Sequence, residues 1–342
     1  MNSIGSVVPG ILVVAILGCG TEELPLAQRT SSAEGRDALN SSDPVWSADA
    51  DDGEAPRYSD WSEPVNLGPV VNSDAIELEV SISRDGLSLY LASNRPDGFG
   101  DFDIWVCQRA SVSDPWGPPQ NLGPPINTST RDQGMFLTLD GHRLYFFSDR
   151  PGGGGFGGTD LYVSRRRDQR DDFGWQTPVN LGPGVNGSFN ETLPVHFEDD
   201  LTGTTTLYFT SNRPFGIGGP DIYASTLQPD GAFGPAVLVE ELSSSRRDRI
   251  LTIRRDGLEI FLGSDRPGPV PVPFELWVAT RASTLEPWST PVKLGPPVNS
   301  GADEGSAALS FDATTLYFVS SRPGGLGHDV WVTTRNKLKG PD

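Results

Sequence analysis

The chain has 342 residues, of which 40 are glycine and 30 are proline, and 36% are hydrophobic. This much glycine and proline excludes a mainly helical protein and is typical of many short strands joined by tight turns. The formal net charge of −19 would repel a phosphate backbone. The composition therefore predicts an all-β protein, and we expect no nucleic-acid partner.

An apolar run occupies residues 7–17 and ends in Ile16-Leu17-Gly18-Cys19. A helix needs about 20 residues to cross a bilayer, so this shorter run is typical of a signal peptide. The last four residues resemble the lipobox of bacterial lipoproteins, which implies cleavage before Cys19 and lipidation of Cys19. We expect residues 1–18 to be a signal peptide and the protein to be lipid-anchored in the bacterial cell envelope, in the periplasm or at the cell surface. No Lys or Arg precedes the run, so simple secretion and an uncleaved anchor remain alternatives.

Residues 19–58 are rich in Ser, Asp, Glu and Ala and show no hydrophobic period. Such a segment cannot bury enough apolar surface to offset the entropy lost on ordering. We therefore expect a disordered tether that follows the lipid-modified cysteine and leads into a single domain at 59–338.

The sequence repeats five times from residue 61 onward. Each unit opens with an aromatic residue, at spacings of 55, 59, 58 and 55 residues; the five are Trp61, Trp116, Trp175, Phe233 and Trp288. Three further strand-like segments follow in each unit, and the first two are often joined by Asp-Gly, a hairpin turn signal. Four strands per period, repeated five times, predict a five-bladed β-propeller of four-stranded antiparallel blades.

The order of the segments also predicts how the ring closes. The fifth unit stops after its third strand, whereas the first unit begins with a spare segment at 61–68. If that N-terminal segment completes the last blade, no sheet edge stays open. We therefore expect the N-terminal strand to close the ring.

The first unit contains Ser83-Arg84-Asp85-Gly86, Ser93-Asn94-Arg95-Pro96 and Asp103-Ile104-Trp105. These motifs resemble the WD40-like (PD40) repeat of bacterial envelope proteins, the type found in the TolB propeller. The resemblance covers about 61–335 and implies a propeller and a cell-envelope setting. TolB-like proteins have six blades and a separate N-terminal domain, and this sequence shows neither.

One acidic residue precedes the aspartate of each first turn by eight positions, at Glu77, Asp132, Glu191, Asp248 and Glu304. These positions begin the innermost strands, which in a propeller line the channel mouth. A ring of carboxylates there would bind a cation, a cationic ligand or a sugar. The alternative is a structural pair in every blade with the arginine of each Ser-x-Arg-Pro turn, since such pairs are directional; these are Arg95, Arg150, Arg213, Arg266 and Arg322. Repetition in every blade favours the structural interpretation.

Glycoside hydrolases with five-bladed propellers use central carboxylates in unequal roles, whereas these acids recur symmetrically. We therefore expect a monomeric binding or scaffolding module for a protein or glycan partner in the envelope, attached to the membrane only through its lipid. We assign it no catalytic residue, metal or cofactor. A glycan-active hydrolase that uses central carboxylates is the alternative. Close acids in unequal surroundings within a deep pocket would favour the enzyme.

Overall fold

The computed structural model describes residues 57–151, 156–266 and 273–339, which form twenty β-strands and one short 3-10 helix, Glu240–Leu242. The predicted signal peptide, Cys19 and nearly all of the predicted tether lie outside the described residues. The inner strands are β2 (Glu77–Ile82), β6 (Asp132–Leu137), β10 (Glu191–Glu198), β14 (Asp248–Ile253) and β18 (Glu304–Leu309). The second strands are β3 (Ser88–Ser93), β7 (Arg143–Ser148), β11 (Thr205–Ser211), β15 (Glu259–Ser264) and β19 (Thr315–Ser320).

The third strands are β4 (Asp103–Gln108), β8 (Asp160–Arg165), β12 (Asp221–Thr226), β16 (Glu275–Thr280) and β20 (Asp329–Thr334). The outer strands pair over only two residues each and are β1 (Val65–Asn66), β5 (Gln120–Asn121), β9 (Val179–Asn180), β13 (Val237–Leu238) and β17 (Val292–Lys293). Within the described ranges, no helix is long and apolar enough to span a membrane.

The strands form five antiparallel sheets of four, each ordered from an inner strand to an outer one. The predicted five-bladed propeller is therefore confirmed. The first turn of a blade requires a left-handed residue, and both Gly86 and Gly257 supply it with φ of +71°. In the fifth blade Ala313 adopts φ of +59° at this position.

The N-terminal strand closes the ring, as the sequence predicts. Strand β1 pairs with β20 in the order β18-β19-β20-β1, with Val65 opposite Val332 and Asn66 opposite Trp331. Tyr58, the last residue of the predicted tether, also forms a bridge with Lys337. The two ends of the propeller are thus held together in one blade.

The hydrophobic core lies between the blades. Five clusters of buried apolar side chains each contain residues from two neighbouring blades, so that every interface in the ring has its own cluster. A four-stranded sheet has two faces to bury, and only a neighbour on each side covers both. Closure of the ring therefore leaves no blade with an uncovered face.

A second arginine recurs at the end of the third strand, and sequence analysis missed it. In four blades its guanidinium lies 4.1–4.5 Å from the ring of the opening tryptophan; the pairs are Arg109–Trp116, Arg166–Trp175, Arg281–Trp288 and Arg335–Trp61. Its Nε also donates to a carbonyl of the first turn, as Arg109 does to Gly86 at 2.8 Å. The opening tryptophans therefore stack on this arginine rather than forming part of the outer strand.

Candidate functional site

The acid that begins each inner strand is paired with the Ser-x-Arg-Pro arginine of the same blade. The five pairs are Arg95–Glu77 at 2.9 Å, Arg150–Asp132 at 2.6 Å, Arg213–Glu191 at 3.0 Å, Arg266–Asp248 at 2.5 Å and Arg322–Glu304 at 3.3 Å. The side chains of all five acids are 0% exposed. The same buried ion pair thus occurs in each blade.

The other contacts of these arginines also recur. In the first blade, Arg95 Nε donates to Ser93 Oγ at 3.1 Å, and its Nη2 donates to the carbonyl of Val71 at 2.9 Å. Its guanidinium lies 5.4 Å from the ring centroid of Trp105 on the third strand. A charged group that is paired, hydrogen-bonded and stacked in this way can be buried without an unmatched charge.

The five acids do not line an exposed channel mouth. Each is enclosed by its arginine and by other nearby groups; Glu77, for example, also accepts from Ser73 Oγ at 2.5 Å, in the segment between β1 and β2. Burial raises the pKa of Glu77, although the hydrogen bonds from Ser73 and the charge of Arg95 oppose the rise. These carboxylates hold the start of each inner strand in place and are not accessible to a ligand.

A cavity of about 390 Å³ lies on the axis, at the end of the ring where the inner strands begin. The inner strand of every blade contributes to its lining, with one polar side chain from each blade: Glu79, Gln133, Thr192, Arg249 and Ser306. The loops at the same end add Arg131, Asn190, Asn212, Asp303 and His328. We call this cavity the axial pocket.

A bulge in the inner strand places Glu79 in the axial pocket. The pairing of β2 with β3 shifts between Leu78 and Val80, so Glu79 has no partner across the ladder. A bulge aims a side chain away from its regular direction. The inner strands of the other four blades contain a shift at a similar position.

Sequence analysis missed the residues of the axial pocket because they follow the recurring acids by one or two positions. At the first of these positions the five blades carry Leu78, Gln133, Thr192, Arg249 and Gly305, whereas the preceding position is always acidic. When one position differs in every blade of an otherwise repeating motif, the structure of the blade does not require a particular residue there. This contrast is the sequence signal that could have identified the pocket.

The carboxyl group of Glu79 has an altered acidity. Burial raises its pKa to about 7, while the charge of Arg249 and a hydrogen bond from the Gly134 backbone N–H oppose the rise. Its Oε2 is buried and has no hydrogen-bond partner among the described residues. Near neutral pH this carboxyl group can therefore donate or accept a proton or a hydrogen bond.

Two further polar atoms of the axial pocket lack partners among the described residues, namely Gln133 Oε1 and Arg131 Nε. Gln133 is only 7% exposed. A buried polar atom without a partner costs free energy, so such atoms mark places where a ligand or water completes the hydrogen bonding.

The pocket narrows further along the axis. Beneath it lies a space of about 10 Å³ whose lining includes Val80, Met135, Pro194 and Leu251. A space of this size has room for about one water molecule. The axial pocket is therefore a concave site at one end of the ring, above a narrow constriction.

No group of three or more His, Cys, Asp or Glu side chains in the described residues has an arrangement that could hold a metal ion. The axial pocket instead offers hydroxyl, amide, guanidinium and carboxyl groups. Such a set can form hydrogen bonds to a polar organic ligand.

These features define the class of the protein as a five-bladed β-propeller with a polar axial pocket. No family model and no curated protein sequence matches the chain. Among solved structures, the chain is similar to the catalytic domain of the Coprinopsis cinerea GH62 α-L-arabinofuranosidase, with 14% identity and a TM-score of 0.54. That match covers 82% of this chain and 98% of the other.

Two other solved structures are also similar. An exo-1,5-α-L-arabinanase from a bovine ruminal metagenomic library is 11% identical with a TM-score of 0.54, covering 79% of this chain and 96% of that one. A putative TolB from Agrobacterium tumefaciens is 15% identical with a TM-score of 0.46, and the match covers 83% of this chain and 86% of that one. At these identities the likeness is one of fold alone.

Proposed function

We propose that this propeller is a binding module of the bacterial cell envelope that holds a glycan in its axial pocket. One observation carries the proposal: the five symmetric carboxylates are enclosed in ion pairs, whereas the polar side chains that line the axial pocket differ from blade to blade. The ion pairs repeat because every blade needs the same structural support. The pocket side chains vary because they would contact a ligand rather than support a blade.

The size and lining of the axial pocket favour a glycan over a protein surface. Its volume of about 390 Å³ falls in the range of small-molecule sites, about 300–1,000 Å³. A protein partner of standard size would instead cover roughly 800 Å² of each surface. Hydroxyl-bearing Thr192 and Ser306 and the amides of Gln133, Asn190 and Asn212 match the alternating donors and acceptors of a sugar.

Exposed apolar side chains support the same proposal. The loops between second and third strands, which contribute Thr159, Pro220 and His328 to the pocket, also carry exposed Phe99, Phe156, Phe215, Ile217 and Leu326. Exposed apolar groups next to a polar concave site mark interaction surfaces. The phenylalanines offer flat faces on which the apolar side of a sugar ring can pack.

Hydrolysis of the glycan is a second candidate function, favoured by the altered acidity of Glu79. A carboxyl group with its pKa raised to about 7 suits a general acid, as in glycosidases. Asp303 is the other carboxylate of the pocket lining and would serve as the base. The solved arabinofuranosidase and arabinanase share the fold, which is compatible with this alternative.

A glycan panel tests both functions with the purified protein. We expect retention of a subset of glycans without product release, and we expect Gln133→Ala to weaken the retention by about tenfold, because a buried acceptor facing the ligand is lost. Gln169→Ala is the matched control, since Gln169 is exposed beside the Asp140-Gly141 turn at the opposite end of the blade. Equal binding by wild type and Gln133→Ala would contradict the use of the axial pocket.

Product release would instead establish the hydrolase. In that case Glu79→Gln should lower the rate by about 100-fold or more, the usual contribution of a general acid. The wild-type rate should fall as the pH rises through about 7, because Glu79 must be protonated to act as the acid. A rate unaffected by Glu79→Gln would exclude this assignment.

The envelope location rests on the predicted lipidation of Cys19. In a bacterial host we expect the wild-type chain in the membrane fraction and Cys19→Ser in the soluble fraction, because the acyl chains supply the membrane affinity. Fractionation followed by mass spectrometry of the N-terminal peptide measures this. A membrane-bound Cys19→Ser chain would favour the uncleaved anchor, and a soluble wild-type chain would favour secretion.

A further inference from the structure

The axial pocket contains an arginine whose charge is not matched by any carboxylate of the described residues. Arg249, on the inner strand of the fourth blade, has no Asp or Glu oxygen within 4.0 Å among the described residues. Its guanidinium instead lies 3.9 Å from the ring centroid of Phe274. Burial lowers the pKa of Arg249, and the more distant charges of Glu79 and Asp303 offset this only in part.

The described residues contribute two carboxyl groups to the pocket lining, and these are poor partners for Arg249 for separate reasons. Glu79 has its pKa raised to about 7 by burial, so it carries only part of a negative charge near neutral pH. Asp303 is engaged elsewhere: its Oδ1 accepts from the Phe274 N–H at 2.7 Å, and its Oδ2 lies 4.0 Å from Nδ1 of His328. Among the described residues, neither carboxyl group therefore pairs directly with the Arg249 guanidinium.

The neighbouring Arg247 contacts the same phenylalanine but has a carboxylate partner. It lies over Phe274 at 4.5 Å, but its Nε donates to Asp265 Oδ2 at 2.8 Å. Arg247 does not line the axial pocket, whereas Arg249 does. The difference between the two is a carboxylate partner, which Arg249 does not have among the described residues and which a ligand would provide.

We propose that the glycan bound in the axial pocket carries a carboxylate, as a uronic acid does, and that Arg249 binds this group. The inference rests on the proposed function and adds the class of sugar. Stacking on Phe274 holds the guanidinium plane in position, which suits two parallel hydrogen bonds to a carboxylate. The unpartnered Gln133 Oε1, which lies in the same lining, accepts from a sugar hydroxyl.

Calorimetric titration tests the proposal. The probes are methyl glucuronide and methyl galacturonide, compared with methyl glucoside and methyl galactoside, at pH 7.5 and fixed salt. We expect the uronides to bind about 10- to 100-fold more tightly, the usual value of a charge-assisted hydrogen-bonded pair. Arg249→Gln should abolish this preference, and Arg249→Lys should retain part of it. Arg247→Gln is the matched control and should leave the preference intact.

Each other outcome has a definite meaning. Equal affinity for uronides and neutral glycosides would overturn the inference and leave the proposed glycan binding in place. Acetate that binds as tightly as a uronide would also overturn it, because the site would then recognise only an anion. Preference for uronides that survives Arg249→Gln, in a variant with an unchanged circular dichroism spectrum, would remove Arg249 from the site. Failure of every glycoside to bind would overturn the proposed function together with the inference.

Discussion

Deletion of residues 61–69 is expected to abolish the cooperative unfolding of the propeller. This segment supplies β1, which closes the ring on β20, and Trp61, whose ring packs edge-on against Phe261 of the fourth blade at 6.4 Å. The lost hydrogen bonds contribute about 1 kcal/mol each, against a stability of about 5–15 kcal/mol for a typical domain. The exposed edge of β20 and the uncovered core add to the loss. Differential scanning calorimetry measures the transition.

A permuted chain separates closure from simple loss of sequence. Residues 58–69 moved to follow Lys339 through a short linker would place the outer strand after β20, in the order that the other blades have. We expect this variant to recover most of the wild-type melting temperature. An unchanged transition in the deletion variant would contradict the closure of the ring by β1. A permuted chain as unstable as the deletion variant would show that pairing of the outer strand with β20 is not enough to restore stability.

Asp172→Ala is expected to destabilise the propeller by about 3–5 kcal/mol, since removal of one partner leaves a buried charge unpaired. Asp172 lies in the loop between β8 and β9, and its side chain is 2% exposed. It pairs with Arg166 at 2.6 Å and accepts hydrogen bonds from Ser88, Tyr90 and Gln108 of the first blade. Denaturant titration measures the loss.

Two companion variants test this assignment. Asp200→Ala removes the partner of Arg255 from an exposed pair, and such pairs contribute about 0–1 kcal/mol. Arg166→Met combined with Asp172→Leu removes both charges and should recover part of the stability lost in Asp172→Ala. A cost below about 1 kcal/mol for Asp172→Ala would contradict the role of Asp172 as a link between blades.

The contribution of Asp172 to the stability of the fold also depends on pH in a defined direction. Burial alone would raise its pKa, but hydrogen bonds from Ser88, Tyr90, Arg166 and Gln108 outweigh this and hold the pKa below the ordinary 3.8. A group whose pKa is lower in the folded state stabilises the fold at pH values above its unfolded-state pKa. This stabilisation is lost as the pH falls through its folded-state pKa. The difference between wild type and Asp172→Ala should therefore shrink below about pH 3.8.

Much of the fold was predictable from local sequence. The closing strand was predicted by counting segments, since the fifth unit lacks an outer strand and the first unit has a spare one. Asp-Gly turns and the five opening aromatic residues specify the hairpins and their number, because each depends on residues close together in the chain. The recurring acids and arginines were visible for the same reason. The stacking of Arg335 on Trp61 was not, since these residues are 274 positions apart in the sequence.

The amino-acid sequence alone determined the class of structure, since repetition and turn chemistry are properties of neighbouring residues. Only the tertiary structure decided which acids line the axial pocket. It buried Glu77 and its four equivalents in ion pairs, and a bulge placed Glu79, two residues further on, in the axial pocket. Accessibility on the axis depends on how five blades meet, and no single repeat contains that information.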